Sequence, residues 1–168
     1  PGGFVIDNLA KKGDAKAAKF PVPKLDEKEH RYDVSFSGLK TAVIHQCDMF
    51  WQPGYEHSTE NMCAAFQETA IKTLVSRLLR AVDDTGLKTV VCGGGVAANS
   101  RLREMLAERT DLNCLFPPLK LCGDNGAMIA GVAYHFLMRG DRSDWNTVTC
   151  ARIPQFKRGL AQVNHNKK

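Results

Sequence analysis

Leu87-Lys88-Thr89-Val90-Val91-Cys92, running straight into Gly93-Gly94-Gly95-Val96-Ala97-Ala98-Asn99, decides how this chain is read. A short apolar run rich in β-branched residues predicts a buried strand. Three glycines at its end predict a tight turn, and Asn99 ahead of Ser100-Arg101-Leu102-Arg103 predicts the N-cap of a helix over 100–109. Strand, glycine turn and capped helix are the elements of an α/β protein, not of a helical bundle or a β-sandwich. Small residues at such a turn let an anion approach backbone N–H groups, where the helix N-terminus adds favourable positive charge. The turn is neither G-x-G-x-x-G nor a P-loop, since no Gly-Lys-Ser/Thr follows. Phosphate binding and a plain strand-to-helix turn therefore both remain open readings.

Working outward, Asn113 to Phe116 predicts a second short strand, ended by Pro117-Pro118. Cys122-Gly123-Asp124-Asn125 then precedes a helix over 125–138 dense in Gly and Ala. Asp124 and Asn125 suit capping; Asp124 also suits a lone carboxylate ligand for a metal. No H-x-x-x-H or H-E-x-x-H occurs and the five histidines are dispersed, so further ligands must come from outside this sequence. Upstream of the glycine turn, Ser58-Thr59-Glu60-Asn61 carries N-cap chemistry for a long helix over 59–84. Its apolar stripe is Met62, Phe66, Ala70, Leu74, Leu78 and Val82, with Gly86 as the C-terminal stop. Tyr32 to Ser37 alternates like a strand, and Leu39 to Phe50 reads as a helix with Leu39, Val43 and Ile44 on one face. Phe4 to Lys12 reads as a helix after a Gly2-Gly3 turn, and Lys11 to Glu29 as an exposed connection. Gly2-Gly3 with Asp7 resembles a backbone turn plus a carboxylate able to accept a ribose hydroxyl pair. On their own, those residues fit a plain turn and a helix-face Asp better.

The 168 residues suffice for one domain with a sizeable core, and the net charge of +5 fits an RNA-binding surface without requiring one. Six scattered cysteines without a C-x-x-C pair predict reduced, mostly buried thiols in a cytoplasmic protein. No apolar run is long enough for a membrane helix. Ser35-Phe36-Ser37-Gly38-Leu39-Lys40-Thr41 is no G-x-S-x-G elbow, so a serine hydrolase is set aside and no catalytic group is assigned. Pro1-Gly2-Gly3 reads as the middle of a turn, predicting a sequence cut from a longer chain. Residues 1–150 are expected to form the α/β region and 151–168 a basic tail.

Four stretches in order carry a resemblance. They are Pro1-Gly2-Gly3-x-x-Ile6-Asp7, Ser35 to Thr41, Gly94-Gly95-Val96-Ala97-Ala98-Asn99-x-x-Leu102-Arg103, and Pro117-Pro118-Leu119 through Asp124-Asn125 to Ala130. Together they resemble the TsaD/Gcp (Kae/Qri) family of tRNA N6-adenosine threonylcarbamoyltransferases, over the C-terminal half of a typical member. The resemblance implies an actin-like, sugar-kinase-like (ASKHA) fold, of which this is mainly the C-terminal lobe. It implies transfer of threonylcarbamoyl from threonylcarbamoyl-AMP to N6 of the adenosine 3′ of the anticodon, in tRNAs reading ANN codons. Gly3, Asp7 and Asn99 would hold the adenylate, with Gly94 and Gly95 lining it. Asp124 would be one ligand of a divalent metal, Fe2+ by resemblance, with Zn2+ or Mg2+ as alternatives. The implied partners are tRNA, threonylcarbamoyl-AMP or ATP/ADP, and TsaB-like and TsaE-like proteins. The family's H-x-x-x-H ligands and Ser-Gly-Gly-His-Thr loop are absent, so this chain is expected to be inactive alone. Phe4 stands where the family usually has Pro, and Gly123 where Thr often precedes the metal Asp. Lys40, Arg101, Arg103, Arg152 and Lys157 are expected as tRNA phosphate contacts. The competing readings are another actin-like ATPase or small-molecule kinase lobe, or a non-catalytic interaction module.

Overall fold

The structure, a computed structural model, describes residues 2–22, 30–50, 52, 58–146 and 148. It divides into two units, 1–125 and 126–168, and all the buried apolar residues among those described belong to the first.

The organising element is a long helix, Thr59–Thr85, here α3 after α1 (Gly2–Ala10) and α2 (Ser37–Phe50). Its start is fixed as the sequence predicts. Ser58 Oγ accepts the Asn61 N–H at 3.1 Å, and Glu60 puts negative charge in the first turn. Its end is Gly86, left-handed at φ 68°, whose N–H reaches the Val82 carbonyl at 2.8 Å. The buried stripe lies one position round from the expected one. Ala64, Gln67, Ile71, Val75 and Val82 face inward, whereas Phe66, Leu74 and Leu78 flank them half-buried.

The strands are shorter than the apolar runs that contain them. β1 (Thr89–Val91) pairs in parallel with β2 (Asn113–Leu115), with Val90 opposite Cys114. The connection between them is one 3-10 turn (Gly95–Ala98) and α4 (Ser100–Ala107), a compact β-α-β crossover. Ile71 and Val75 of α3 meet Leu102 and Leu106 of α4, with Cys92, Cys114 and Phe116 closing the cluster from the sheet side. Val82, Val90 and Leu112 continue the core to the far end of α3. A further cluster of Phe20, Leu39 and Ala65 seats α2 on the first half of α3, where Phe20 meets Phe66 edge to face at 6.5 Å.

α1 also packs on α3, and the chain after it is held tightly. A Cβ on Gly13 would stand 2.1 Å from the Glu60 carbonyl oxygen, so only glycine fits there. The next residue donates its N–H to Asn61 Oδ1 at 2.8 Å. These contacts fix where α1 presents Gly3 and Asp7.

Two expectations are corrected. Gly2 and Gly3 are not a turn before a helix but the first residues of α1 itself. Neither has positive φ. Tyr32 to Phe36 forms no strand, since no neighbouring strand offers a ladder among the described residues, and Ser37 already opens α2. Its polar groups go elsewhere: Arg31 and Tyr32 both donate to Asp84 near the end of α3. Residues 53–57, which with Gln52 read in sequence as a loop around Pro53-Gly54, residues 23–29 of the connection over 11–29, and the tail 151–168 lie outside the described residues.

Beyond Pro117-Pro118, a 3-10 turn (Leu119–Leu121) leads to Cys122, 3 % exposed, and to Asp124. The second unit opens with α5 (Gly126–Met138), which buries none of its residues. Among the described residues no helix is long and apolar enough to cross a membrane.

Candidate nucleotide-binding site

The site grows from the end of β1. Gly94 adopts φ 80°, ψ 176°, a conformation essentially reserved for glycine. That bend sends the chain into the 3-10 turn, where the Ala97 N–H bonds the Gly94 carbonyl at 3.0 Å and Ala97 is buried. Asn99 closes this turn and caps α4. Its backbone N–H reaches the Val96 carbonyl at 3.0 Å and its Oδ1 accepts the Leu102 N–H at 3.0 Å.

The Asn99 amide ties three elements together. Nδ2 donates to Asp7 Oδ1 on α1 at 3.3 Å and to Gln67 Oε1 on α3 at 2.9 Å. Asp7 Oδ1 also accepts the Ser100 hydroxyl at 2.7 Å and the Ser100 N–H at 3.2 Å. The Asp7 carboxylate thus sits at the N-terminus of α4, where the unpaired N–H groups favour negative charge. Its Oδ2 has the Lys11 ammonium at 3.6 Å and accepts no hydrogen bond among the described residues. Both amide hydrogens of Asn99 are committed within the protein. What the pair offers a ligand is therefore acceptor capacity, chiefly Asp7 Oδ2 and the second lone pair of Asn99 Oδ1.

A cleft of about 370 Å³ opens over this network, lined by Gly3, Phe4, Asp7, Gly95, Val96, Ala98 and Asn99. Of the residues singled out in the sequence, it brings together Gly3, Asp7, Gly95 and Asn99 from motifs more than 85 positions apart. Gly94 does not line it; it sets the bend one residue earlier. Phe4 and Val96, 69 % and 56 % exposed, give the cleft apolar walls. Asp124 is not among the lining residues.

The loop carrying Asp124 is nonetheless linked to the glycine turn, through Arg103. Its Nε donates to the Ala97 carbonyl at 2.7 Å and its Nη2 to the Pro117 carbonyl at 2.9 Å, with the guanidinium 4.7 Å from the centre of the Phe116 ring. Arg101 is occupied as well, by Glu68 at 2.7 Å and by Glu104 at 3.3 Å. Its hydrogen bonds hold the Glu68 carboxyl below the usual carboxylate range, against the opposing effect of burial. The structure thus gives Arg101 and Arg103 partners inside the chain. Lys40 is exposed, and Arg152 and Lys157 lie outside the described residues.

Asp124 itself is exposed, and Asn125 folds back to bond the Gly123 carbonyl at 3.0 Å. Among the described residues no three His, Cys, Asp or Glu side chains gather as a metal site needs. One carboxylate suits a divalent cation as a single ligand, but the described residues alone do not make a metal site. The five described cysteines are free, one of them buried and four half-buried. Cys92, beside the glycine turn, has its pKa raised by burial, which keeps it a thiol and disfavours a thiolate nucleophile there.

Gln67 is the site residue that the apolar stripe did not reveal. It is buried to 7 % exposure on the face of Ala64, Ile71 and Val75, where a glutamine needs a partner. Its place at i+3 from Ala64 and i−4 from Ile71 is the signal that could have found it.

A parallel β-α-β crossover with a glycine bend at the strand end and a carboxylate at the following helix makes this an α/β protein whose cleft is a candidate site for an anionic or nucleotide ligand. The family can be stated more narrowly. The sequence model of TsaD, described as tRNA N6-adenosine threonylcarbamoyltransferase, matches residues 1–131, and the chain belongs to this family. A relative in Treponema denticola is 58 % identical over 158 residues, 94 % of this chain and 47 % of the relative. One in Treponema pallidum (strain Nichols) is 53 % identical over 95 % of this chain and 46 % of its own length. One in Borreliella afzelii is 40 % identical over 99 % and 48 %. All three bear the name tRNA N6-adenosine threonylcarbamoyltransferase. The chain spans about half the length of these curated relatives.

Proposed function

We propose that this chain forms one wall of the acyl-adenylate cleft of a tRNA-modifying transferase. The reaction moves threonylcarbamoyl from threonylcarbamoyl-AMP to N6 of the adenosine 3′ of the anticodon in tRNAs reading ANN codons. The observation that carries this reading is the convergence of Gly3, Asp7, Gly95 and Asn99 on one 370 Å³ cleft, in a chain of the TsaD family. The volume falls in the range of small-molecule sites.

Each lining group has a task that its chemistry suits. Phe4 and Val96 offer apolar faces to a nucleobase. Asp7 Oδ2 accepts from ribose hydroxyls, while Oδ1 stays engaged with Ser100 and Asn99. Gly95 lacks a side chain at the cleft wall, so phosphate oxygens can approach the backbone. Gln67 holds the Asn99 amide and so fixes the distance between α1 and α4 across the cleft floor. Together these groups hold the adenylate still while its carbonyl is attacked, which is catalysis by positioning.

The remaining parts of the reading go with the family. The fold is the actin-like, two-lobed ASKHA fold, with this chain mainly its C-terminal lobe. Asp124 supplies one ligand to a divalent metal, Fe2+ foremost, whose other ligands lie outside this chain; the metal supplies charge stabilisation when bound. TsaB-like and TsaE-like proteins assemble with the enzyme in the cytoplasm, and this chain alone is inactive.

The test is Asp124→Ala in the full-length protein, assayed by transfer of labelled threonylcarbamoyl to tRNA. Transfer should be abolished while the thermal transition stays within about 3 °C, because Asp124 is exposed and contributes little to packing. Unchanged transfer would remove Asp124 from the metal shell.

A further inference from the structure

Ser100 opens α4 and does not line the adenylate cleft, yet it makes the shortest bond to the carboxylate that does. Its hydroxyl donates to Asp7 Oδ1 at 2.7 Å, its own N–H at 3.2 Å and the Asn99 amide at 3.3 Å. We propose that Ser100 is a positioning residue: it turns Asp7 so that Oδ2 alone receives both the 2′- and the 3′-hydroxyl of the adenylate ribose, and so selects ribose over 2′-deoxyribose. The inference rests on the reading of the cleft above and adds to it a sugar preference and the residue that sets it.

The first argument is the asymmetry of the carboxylate. The Asp7 side chain is only 13 % exposed, so bonds within the protein rather than water decide how it lies. A carboxylate turns readily about its Cβ–Cγ bond, because that torsion has broad, roughly two-fold wells. Left alone, its two oxygens are equivalent. Here they are not. Among the described residues, three donors converge on Oδ1, whereas Oδ2 has only the Lys11 ammonium, at 3.6 Å. Lys11 is 54 % exposed, and a surface pair of this kind is weak enough to give way to a ligand.

The second argument is which of the three donors sets the orientation. At 2.7 Å the Ser100 hydroxyl has the length of a bond strengthened by the charge of its acceptor. The two N–H bonds, at 3.2 and 3.3 Å, are at or beyond the long end of the ordinary range. Asn99 Nδ2 also divides its donors, with the shorter bond going to Gln67 at 2.9 Å. Ser100 instead commits its one hydroxyl proton to Asp7.

The third argument is what the freed oxygen can do. A carboxylate oxygen has two lone-pair sites, so Oδ2 can accept from two neighbouring hydroxyls. A 2′-deoxyribose brings only one of them. A site built to bond a hydroxyl rejects the analogue that lacks it, because a desolvated acceptor is left unmet. Without the Ser100 hydroxyl the carboxylate can turn, the orientation that meets both hydroxyls is held less often, and the preference shrinks.

The experiment is calorimetric titration of the full-length protein with AMP and with 2′-deoxy-AMP. It compares the unsubstituted protein with Ser100→Ala, Ser100→Thr and Asp7→Ala, each melted first to establish that it is folded. Ser100→Ala keeps the α4 cap, since Asn99 Oδ1 and not Ser100 accepts the Leu102 N–H. It should bind AMP about three- to tenfold more weakly, and its preference for AMP over 2′-deoxy-AMP should shrink by at least about threefold. Ser100→Thr keeps the hydroxyl and should restore both. A merely structural Ser100 would change the melting temperature and leave the sugar preference where it was. An unchanged preference in Ser100→Ala, or equal affinity of the unsubstituted protein for the two nucleotides, would therefore overturn the inference while leaving the reading of the cleft intact. The same loss in Ser100→Thr as in Ser100→Ala would also overturn it, because only one of them lacks the hydroxyl. AMP affinity unchanged in Asp7→Ala, or no AMP binding by the unsubstituted protein, would overturn both.

Discussion

Gly94 and Gly95 are neighbours in one motif, yet different constraints act on them. Gly94 sits at φ 80°, ψ 176°, where an L side chain is strained, although nothing stands within 4 Å of the Cβ it would gain. Gly95 has no such φ and equally open surroundings, but it lines the cleft. Gly94→Ala should therefore cost about 1–3 kcal/mol of stability through the backbone alone. Gly95→Ala should melt like the unsubstituted protein and bind adenylate more weakly, because its methyl enters the ligand's space. Thermal melts with calorimetric titration of AMP separate the two; equal destabilisation by both would refute the assignment. This difference was not legible in a run of three glycines, since sequence shows that a turn is needed but not which residue bends. Asn99 was legible as a cap, because an Asn before an apolar-periodic run has few other uses. That its amide would be spent on Asp7 and Gln67 was not legible, since those bonds join residues 92 and 32 positions apart.

At the scale of elements, the helices were the readable part and the edges of the fold were not. α3 declares both its ends through Ser58 and Gly86, local chemistry that tertiary contacts do not override. Tyr32 to Phe36 alternates like a strand but lies against α3 with side-chain bonds in place of a ladder. Arg31 Nε and Nη2 donate to Asp84 at 2.5 and 2.6 Å, and the Tyr32 hydroxyl joins at 2.9 Å. Hydrogen bonds from Arg31 and Tyr32 lower the Asp84 carboxyl to about 2. A carboxyl whose folded pKa lies below its unfolded value stabilises the fold above the unfolded pKa, and that contribution is lost as pH falls through the folded one. The latch should hold undiminished above about pH 4 and release as pH falls towards 2. Asp84→Asn should open it at every pH. Hydrogen exchange of the amides of residues 31–35 measures this: protection that is the same in Asp84→Asn and in the unsubstituted protein at pH 6 would show that the carboxylate is not the fastener.

At the scale of the molecule, two kinds of apolar surface coexist. The first is a core that closes on itself: every buried apolar residue among those described lies between Phe20 and Cys122. The second is α5, whose sequence Gly126–Met138 is apolar almost throughout and buries nothing. Met128, Ile129, Val132, Tyr134, Phe136, Leu137 and Met138 are each 44–70 % exposed. A helix that is apolar all round ordinarily lies inside a protein, and an exposed apolar surface of this kind favours association. In sequence, the Gly and Ala of this helix read as able to pack closely on a sheet. Since every buried apolar residue among those described precedes residue 126, ending the chain after Asn125 should leave the thermal transition within about 3 °C of the longer chain. It should also lower binding of a hydrophobic dye and the tendency to self-associate. Scanning calorimetry and light scattering on the two chains, side by side at one concentration, make the comparison. If the shorter chain lost its cooperative transition, the core of the first unit would depend on α5, and the reading of α5 as a surface awaiting cover would fall.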